Sequence, residues 1–119
     1  MSQLLMNKAF FGKNNCLKVM LNSSKECYFH FGVLINEKWQ WKKIKMQDTE
    51  LGSIMMVLDN QKSACSFYHK YNAEATQIWV NRSNQNFFIK ANKQSKQLTD
   101  GEQVVLRVLL EKIIWVMNT

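Results

Sequence analysis

Residues 38–46 read KWQWKKIKM, two tryptophans one residue apart followed by lysines and two apolar residues at the same alternate spacing. Indole faces stack on unpaired bases at about 1–3 kcal/mol per base, and ammonium groups neutralise phosphates, so this mixture suits a single-stranded polyanion. A duplex hides its base faces and would gain little from such rings. Trp39, Trp41 and Trp79 are the stacking candidates, and Lys18, Lys43, Lys45 and Lys90 the phosphate candidates. Tyr28, His30 and Phe88 share the outward side of their strands with them. Two plainer readings stand beside this one. The rings, Trp41 and Phe88 above all, could pack between subunits or beneath a loop, and the lysines could serve solubility alone.

Other chemistry finds less support in the sequence. His30, His69 and Cys65 show no metal-ligand spacing and no evident fourth donor, so the histidines read as surface residues of a sheet. Cys65 and His69, four apart in a strand, share a face but stand too far apart for a nucleophile and its base. The acidic residues fall mostly at turns and helix starts, where they serve caps and helix dipoles. No phosphate-cradling glycine loop is present. Neither an enzyme nor a bound cofactor or metal is expected.

The elements that must position these residues follow from composition and periodicity. A chain of 119 residues with 46% hydrophobic and 21% charged residues is expected to form a single folded domain over 1–119. The halves divide at about residue 60. Three cysteines without CxxC spacing suit buried small hydrophobes in an intracellular, reducing compartment, the cytoplasm, a nucleoid or an organelle matrix. The longest apolar run, 104–117, is broken by Arg107, Glu111 and Lys112, so no membrane span or export leader is expected. The net charge of +7 favours a polyanionic partner.

Short alternating runs separated by Gly, Asn and Ser predict strands over Leu4–Phe11, Cys16–Leu21, Cys27–Ile35 and Lys38–Met46. Asp48 or Thr49 then caps a short helix with Leu51, Ile54, Met55 and Leu58 on one face. Alternation resumes in Ser63–Lys70, Thr76–Arg82 and Asn86–Asn92, with a fourth strand expected before a longer second helix. Thr99 and Glu102 form that helix's capping box. Leu106, Leu109, Leu110, Ile113, Ile114 and Met117 form its apolar stripe, facing a sheet or another subunit. The expected class is α+β: two antiparallel four-stranded sheets, each followed by a helix, in the order ββββα-ββββα.

Strand parity assigns the faces. Leu17, Val19 and Leu21, then Cys27, Phe29, Phe31, Val33 and Ile35, then Ile78 and Val80, then Phe87, Ile89 and Ala91 point inward. In 38–46, burying Lys43 and Lys45 unpaired is too costly, so Ile44 and Met46 take the core side and both tryptophans face out. A one-residue bulge near Lys42 would reverse the tryptophans.

The stretches DTELGSIMMVLDNQKSACSFYHK (48–70), NFFIKANKQSKQL (86–98) and TDGEQVVLRVLLEKIIWVMN (99–118) carry a family resemblance. The sequence resembles the Whirly proteins, single-stranded DNA-binding proteins of plant plastids, mitochondria and nuclei. Thr49-Glu50-Leu51-Gly52 looks like the family's TE(I/L)G helix start, and Ala64-Cys65-Ser66-Phe67-Tyr68-His69 like its SCEFFH strand. Phe87-Phe88-Ile89-Lys90-Ala91-Asn92-Lys93 is similar to its FFNLSVQNK strand. The resemblance implies two roughly perpendicular sheets, a homotetramer contacting through the C-terminal helix, and single-stranded DNA held with little sequence preference. The family's KGKAAL motif is only echoed by Asn7-Lys8-Ala9-Phe10, which carries over Lys8 alone. The 70–86 segment is shorter, and no transit peptide or acidic tail is seen. Kinetoplastid guide-RNA-binding matchmaker proteins share the architecture and bind RNA. The expectation is therefore single-stranded DNA binding in replication, repair or recombination; RNA binding or annealing and a non-catalytic structural assembly subunit are the alternatives.

Overall fold

Alternating strands must bury one face, and in this chain two sheets do so against each other and against two helices. The computed structural model describes residues 3–119. β1 (Leu4–Phe11), β2 (Asn15–Asn22), β3 (Cys27–Ile35) and β4 (Lys38–Met46) form one antiparallel sheet in sequence order. α1 (Asp48–Leu58) follows. β5 (Ala64–Tyr71), β6 (Glu74–Ser83), β7 (Asn86–Ala91) and β8 (Gln94–Leu98) form the second sheet, and α2 (Asp100–Met117) ends the chain. The expected ββββα-ββββα class is the observed one.

Asparagine makes the tight turns. Asn36 and Glu37, with φ of 51° and 66°, join β3 to β4 in two residues, both in the left-handed region that suits a two-residue hairpin. Asn72, Asn84 and Asn92 take φ of 56°, 57° and 52° in the turns of the second sheet. Their short polar side chains tolerate that region where most residues do not. The predicted break at 71–75 therefore shrinks to Asn72 and Ala73, β7 stops at Ala91, and β8 begins at Gln94 after a turn of two residues.

One apolar cluster joins the inner faces of both sheets. Leu17, Val19, Phe29, Phe31, Ile44 and Met46 of the first sheet meet Ile78, Val80, Phe87, Ile89 and Leu98 of the second. Leu51, Ile54, Val57, Leu106, Leu110 and Ile113 bring in the helices. Beyond the core the β3–β4 hairpin overhangs: Val33 is only partly buried, and Ile35 and Gln40 are exposed despite inward parity.

Polar ties close the ends of the helices. α1 is capped by Gln47 rather than Asp48 or Thr49; the Glu50 carboxylate accepts from the Gln47 backbone N–H at 2.8 Å. Thr99 and Glu102 form the expected box on α2. Arg82 donates from Nε to Val57 O (2.9 Å) and from Nη2 to Leu58 O (3.2 Å) and Gln103 Oε1 (2.7 Å). One guanidinium thus links the end of α1 to β6 and α2, satisfying carbonyls that have no partner within the helix.

His69, expected at the surface, points inward. It lies on the parity of Phe67, and its Nε2 is 2.6 Å from Glu50 Oε2 on α1. The outward positions of β5 go instead to Ser66, Tyr68 and Lys70.

Ile44→Ala should lower stability by about 2–5 kcal/mol through the cavity it leaves, because the side chain is almost wholly buried. Trp39→Ala should cost about 1 kcal/mol, the value of its ring contacts. Urea unfolding of both variants compares the two; equal losses would mean that Trp39 belongs to the core.

Candidate nucleic-acid interface

Register in the first sheet aligns outward side chains into rows. Ala9, Lys18, His30 and Lys43 are successive partners across β1–β4; Asn7, Met20, Tyr28 and Lys45 form a second row, and Phe11, Cys16, Gly32 and Trp41 a third. The two tryptophans are stacked, with ring centroids 5.6 Å apart and planes at 23°. Phe11 meets Trp39 edge-on at 6.1 Å. Lys18 Nζ sits 4.4 Å from the Trp41 ring centre, a cation–π contact. Trp39, Trp41 and Phe11 remain 36%, 37% and 61% exposed, so much of this aromatic surface is open to a ligand.

Gly32 makes the arrangement possible. A Cβ there would stand 2.5 Å from Trp41 Cζ3, so the indole lies down on backbone that only glycine leaves bare.

The cations differ in availability. Lys45 Nζ is 2.8 Å from Glu26 Oε2, which holds the Glu26 carboxyl below its ordinary range and raises the lysine. A phosphate must compete with that carboxylate. Lys43 and Lys18 have no carboxylate within ion-pair distance among the described residues. Between them, His30 is held below its ordinary 6.5 by burial first, then by Lys43 and Lys18.

The second sheet carries a smaller set. Ser66, Trp79, Lys90 and Ser95 align in one row, with Lys90 Nζ 5.7 Å from the Trp79 ring centre. Trp79 is 39% exposed, Phe88 is half-buried opposite Asn81, and Tyr68 stands open opposite Gln77. No ring contact links this set to the first sheet's rings among the described residues.

Lys8 falls elsewhere. It pairs with Val19, on the core-side parity, and leans over Phe10 at 5.6 Å from the ring centre. The outward places on β1 belong to Ala9 and Phe11, so the position suggested by the KGKAAL echo lies off the outer face. Phe11 and Tyr68 were not singled out by the sequence; KAFF carries apolar residues on both parities, so alternation alone leaves β1 undecided.

The thiols offer no rival chemistry. Burial pushes Cys27 up to about 12 and Cys65 up to about 11, and it also raises Cys16. All three stay protonated near neutrality and are poor nucleophiles.

No protein-family model and no curated protein matches this sequence. Among solved structures the chain is similar to "Crystal structures of trypanosoma bruciei MRP1/MRP2", with a TM-score of 0.71 and 8% identity over 96% of this chain and 84% of that one. The fold is Whirly-like. The resemblance in the sequence is therefore upheld in architecture, the two four-stranded sheets each followed by a helix, and not as membership of the Whirly family.

His30 generates a pH prediction. Its neutral form is favoured in the folded protein, so its contribution to stability is present above 6.5 and is lost as pH falls below that value. A polyanion laid across the row reverses the preference and draws in a proton. Affinity should therefore rise as pH drops from 8 to 5.5, about tenfold for each unit by which the bound state raises the pKa. His30→Gln should flatten this dependence, read by oligonucleotide titration at both pH values.

Proposed function

We propose that the outer face of β1–β4 binds single-stranded nucleic acid, DNA in the first reading, with little sequence preference and without catalysis. Its role would be to coat or protect unpaired strands in replication, repair or recombination, inside a reducing compartment that suits three free cysteines. One observation carries the reading: the Phe11–Trp39–Trp41 rings lie beside the Lys18–His30–Lys43 row on a single sheet face. Rings take base faces of any identity and lysines take phosphates, which gives affinity without base readout. The patch on the second sheet, Trp79 with Lys90, repeats the pairing and would extend the path.

RNA on the same face is the second reading, supported by the architecture that the kinetoplastid guide-RNA-binding matchmaker proteins share. A 2′-hydroxyl reader would favour poly-U over poly-dT in competition.

We also propose self-association through α2, to a homotetramer. The stripe expected to contact a subunit is largely turned inward, with Leu106, Leu110 and Ile113 in the core. Val104, Val105, Val108 and Trp115 on the opposite side stay exposed, and Lys112 lies over Trp115 at 4.8 Å. An open apolar stripe on a helix that already buries its other face fits contact with a second copy.

Titration of tryptophan fluorescence tests the binding reading: single-stranded oligonucleotide should quench and duplex should not. Absence of both quenching and binding at low salt would favour a purely structural assembly subunit. Lys43→Ala with Lys45→Ala should weaken binding to every sequence and reduce the salt slope by about 0.7 per lost contact, Lys43 contributing most. For the assembly, Val108→Asp should lower the sedimenting mass; identical masses for variant and wild type would rule α2 out.

A further inference from the structure

The outer face of the first sheet does not stop at β4. Tyr28, Lys43 and Lys45 from that face, and Lys42 and Ile44 from the opposite face, together form one wall of a groove of about 680 Å³. The other wall comes from the β5–β6 hairpin: His69, Lys70, Tyr71, Glu74 and Thr76. The groove thus wraps the β4 edge and joins the two sheets. Its volume falls in the roughly 300–1,000 Å³ range of small-molecule sites, enough for one nucleotide.

Its interior is ordered. His69 and Thr76 are register partners on the floor, and the imidazole is already committed to Glu50 at 2.6 Å. Tyr71 and Glu74 are partners at the hairpin tip, on the same side as His69 and Thr76, so both hang over the groove. Tyr71 is 80% exposed, a ring held open at the mouth. Lys42 Nζ and Glu74 Oε2 stand 3.5 Å apart, and the glutamate side chain is 81% exposed. So long and open an ion pair is weak, and a ligand presenting both a donor and an acceptor can part it.

We propose that this groove receives one unstacked nucleotide of a strand lying on β1–β4, and that the Lys42–Glu74 pair selects guanine there. An ammonium only donates and a carboxylate only accepts, through two oxygens. Guanine alone among the bases offers an acceptor, O6, next to two adjacent donors, N1–H and N2–H. The carboxylate takes both donors and the lysine takes O6. Thymine and uracil present one ring N–H, which leaves one carboxylate oxygen unpaired. Adenine and cytosine offer one amino group beside one ring acceptor, so the lysine can take the acceptor but the carboxylate gains a donor at only one of its oxygens. Tyr71 supplies the stacking surface, and Lys70 and Lys43 lie on either side for the flanking phosphates.

This inference rests on the binding reading above and adds base selection at one position to a sequence-tolerant face. The test compares oligo(dT) with the same length carrying one central dG, dA or dC, and repeats the series in an oligo(rU) background. Wild-type protein should favour the guanine oligonucleotide about tenfold, the discrimination of a bidentate contact. Glu74→Ala should abolish that preference while oligo(dT) binding persists or tightens, since a negative charge has gone. Tyr71→Ala should weaken the guanine oligonucleotide more than oligo(dT). Equal affinity of wild type for all four bases overturns the proposal and leaves the sheet-face reading standing. So does a guanine preference that survives Glu74→Ala. Failure of any oligonucleotide to bind at low salt removes both.

Discussion

Burial of Ile44 and Met46 in the core shared by both sheets decides where everything else on β4 points. Side chains in a strand alternate without exception unless a bulge intervenes, and the β3–β4 pairing runs unbroken from Cys27–Met46 to Ile35–Lys38. The two-residue turn at Asn36 and Glu37 fixes that register from the other end. With both ends fixed, Trp39, Trp41, Lys43 and Lys45 have only the outer face left. A slip of one residue would bury two lysines and expose two core residues, a cost no surface contact could offset.

The same constraint gives the face its division of labour. Rows across the sheet carry one kind of chemistry each: Lys18, His30 and Lys43 in one, Phe11, Gly32 and Trp41 in the next. Glycine at the centre of the aromatic row lets Trp41 lie flat, where Lys18 stands 4.4 Å from its ring centre. Burial first, and then Lys43 and Lys18, disfavour the charged form of His30, so the middle of this row adds no further cation of its own as readily as a free imidazole would. Glu26 beside Lys45 and Glu74 beside Lys42 temper this field at the margins.

Much of the fold was legible because its signals are local. Alternation located seven strands to within about two residues, and Thr99 with Glu102 marked the start of α2. The errors have a common origin in information that is not local. β1 reads KAFF, apolar on both parities, so alternation leaves Phe11 unassigned, while Lys8 rests on the KGKAAL echo alone and lies on the core-side parity opposite Val19. The stretch around His69, ACSFYHKY, mixes polar and aromatic residues on both parities, and only the fold brings Glu50 of α1, 19 residues away, to its ring. α2 is apolar nearly all round, and only its packing on α1 and the sheets shows which side is left over.

The sequence by itself determined the class of fold, the outward parity of β4, and the pairing of tryptophan with lysine, since period, turn residues and the cost of burying ammonium groups are properties of short stretches. Tertiary structure alone decided which residues of distant strands become neighbours. Phe11 reaches Trp39 because four strands align in register, and Lys42 faces Glu74 because the β5–β6 hairpin folds against the β4 edge, 32 residues away in the chain. Contacts between residues so distant depend on how two sheets pack around one core, and no spacing within a single strand encodes that.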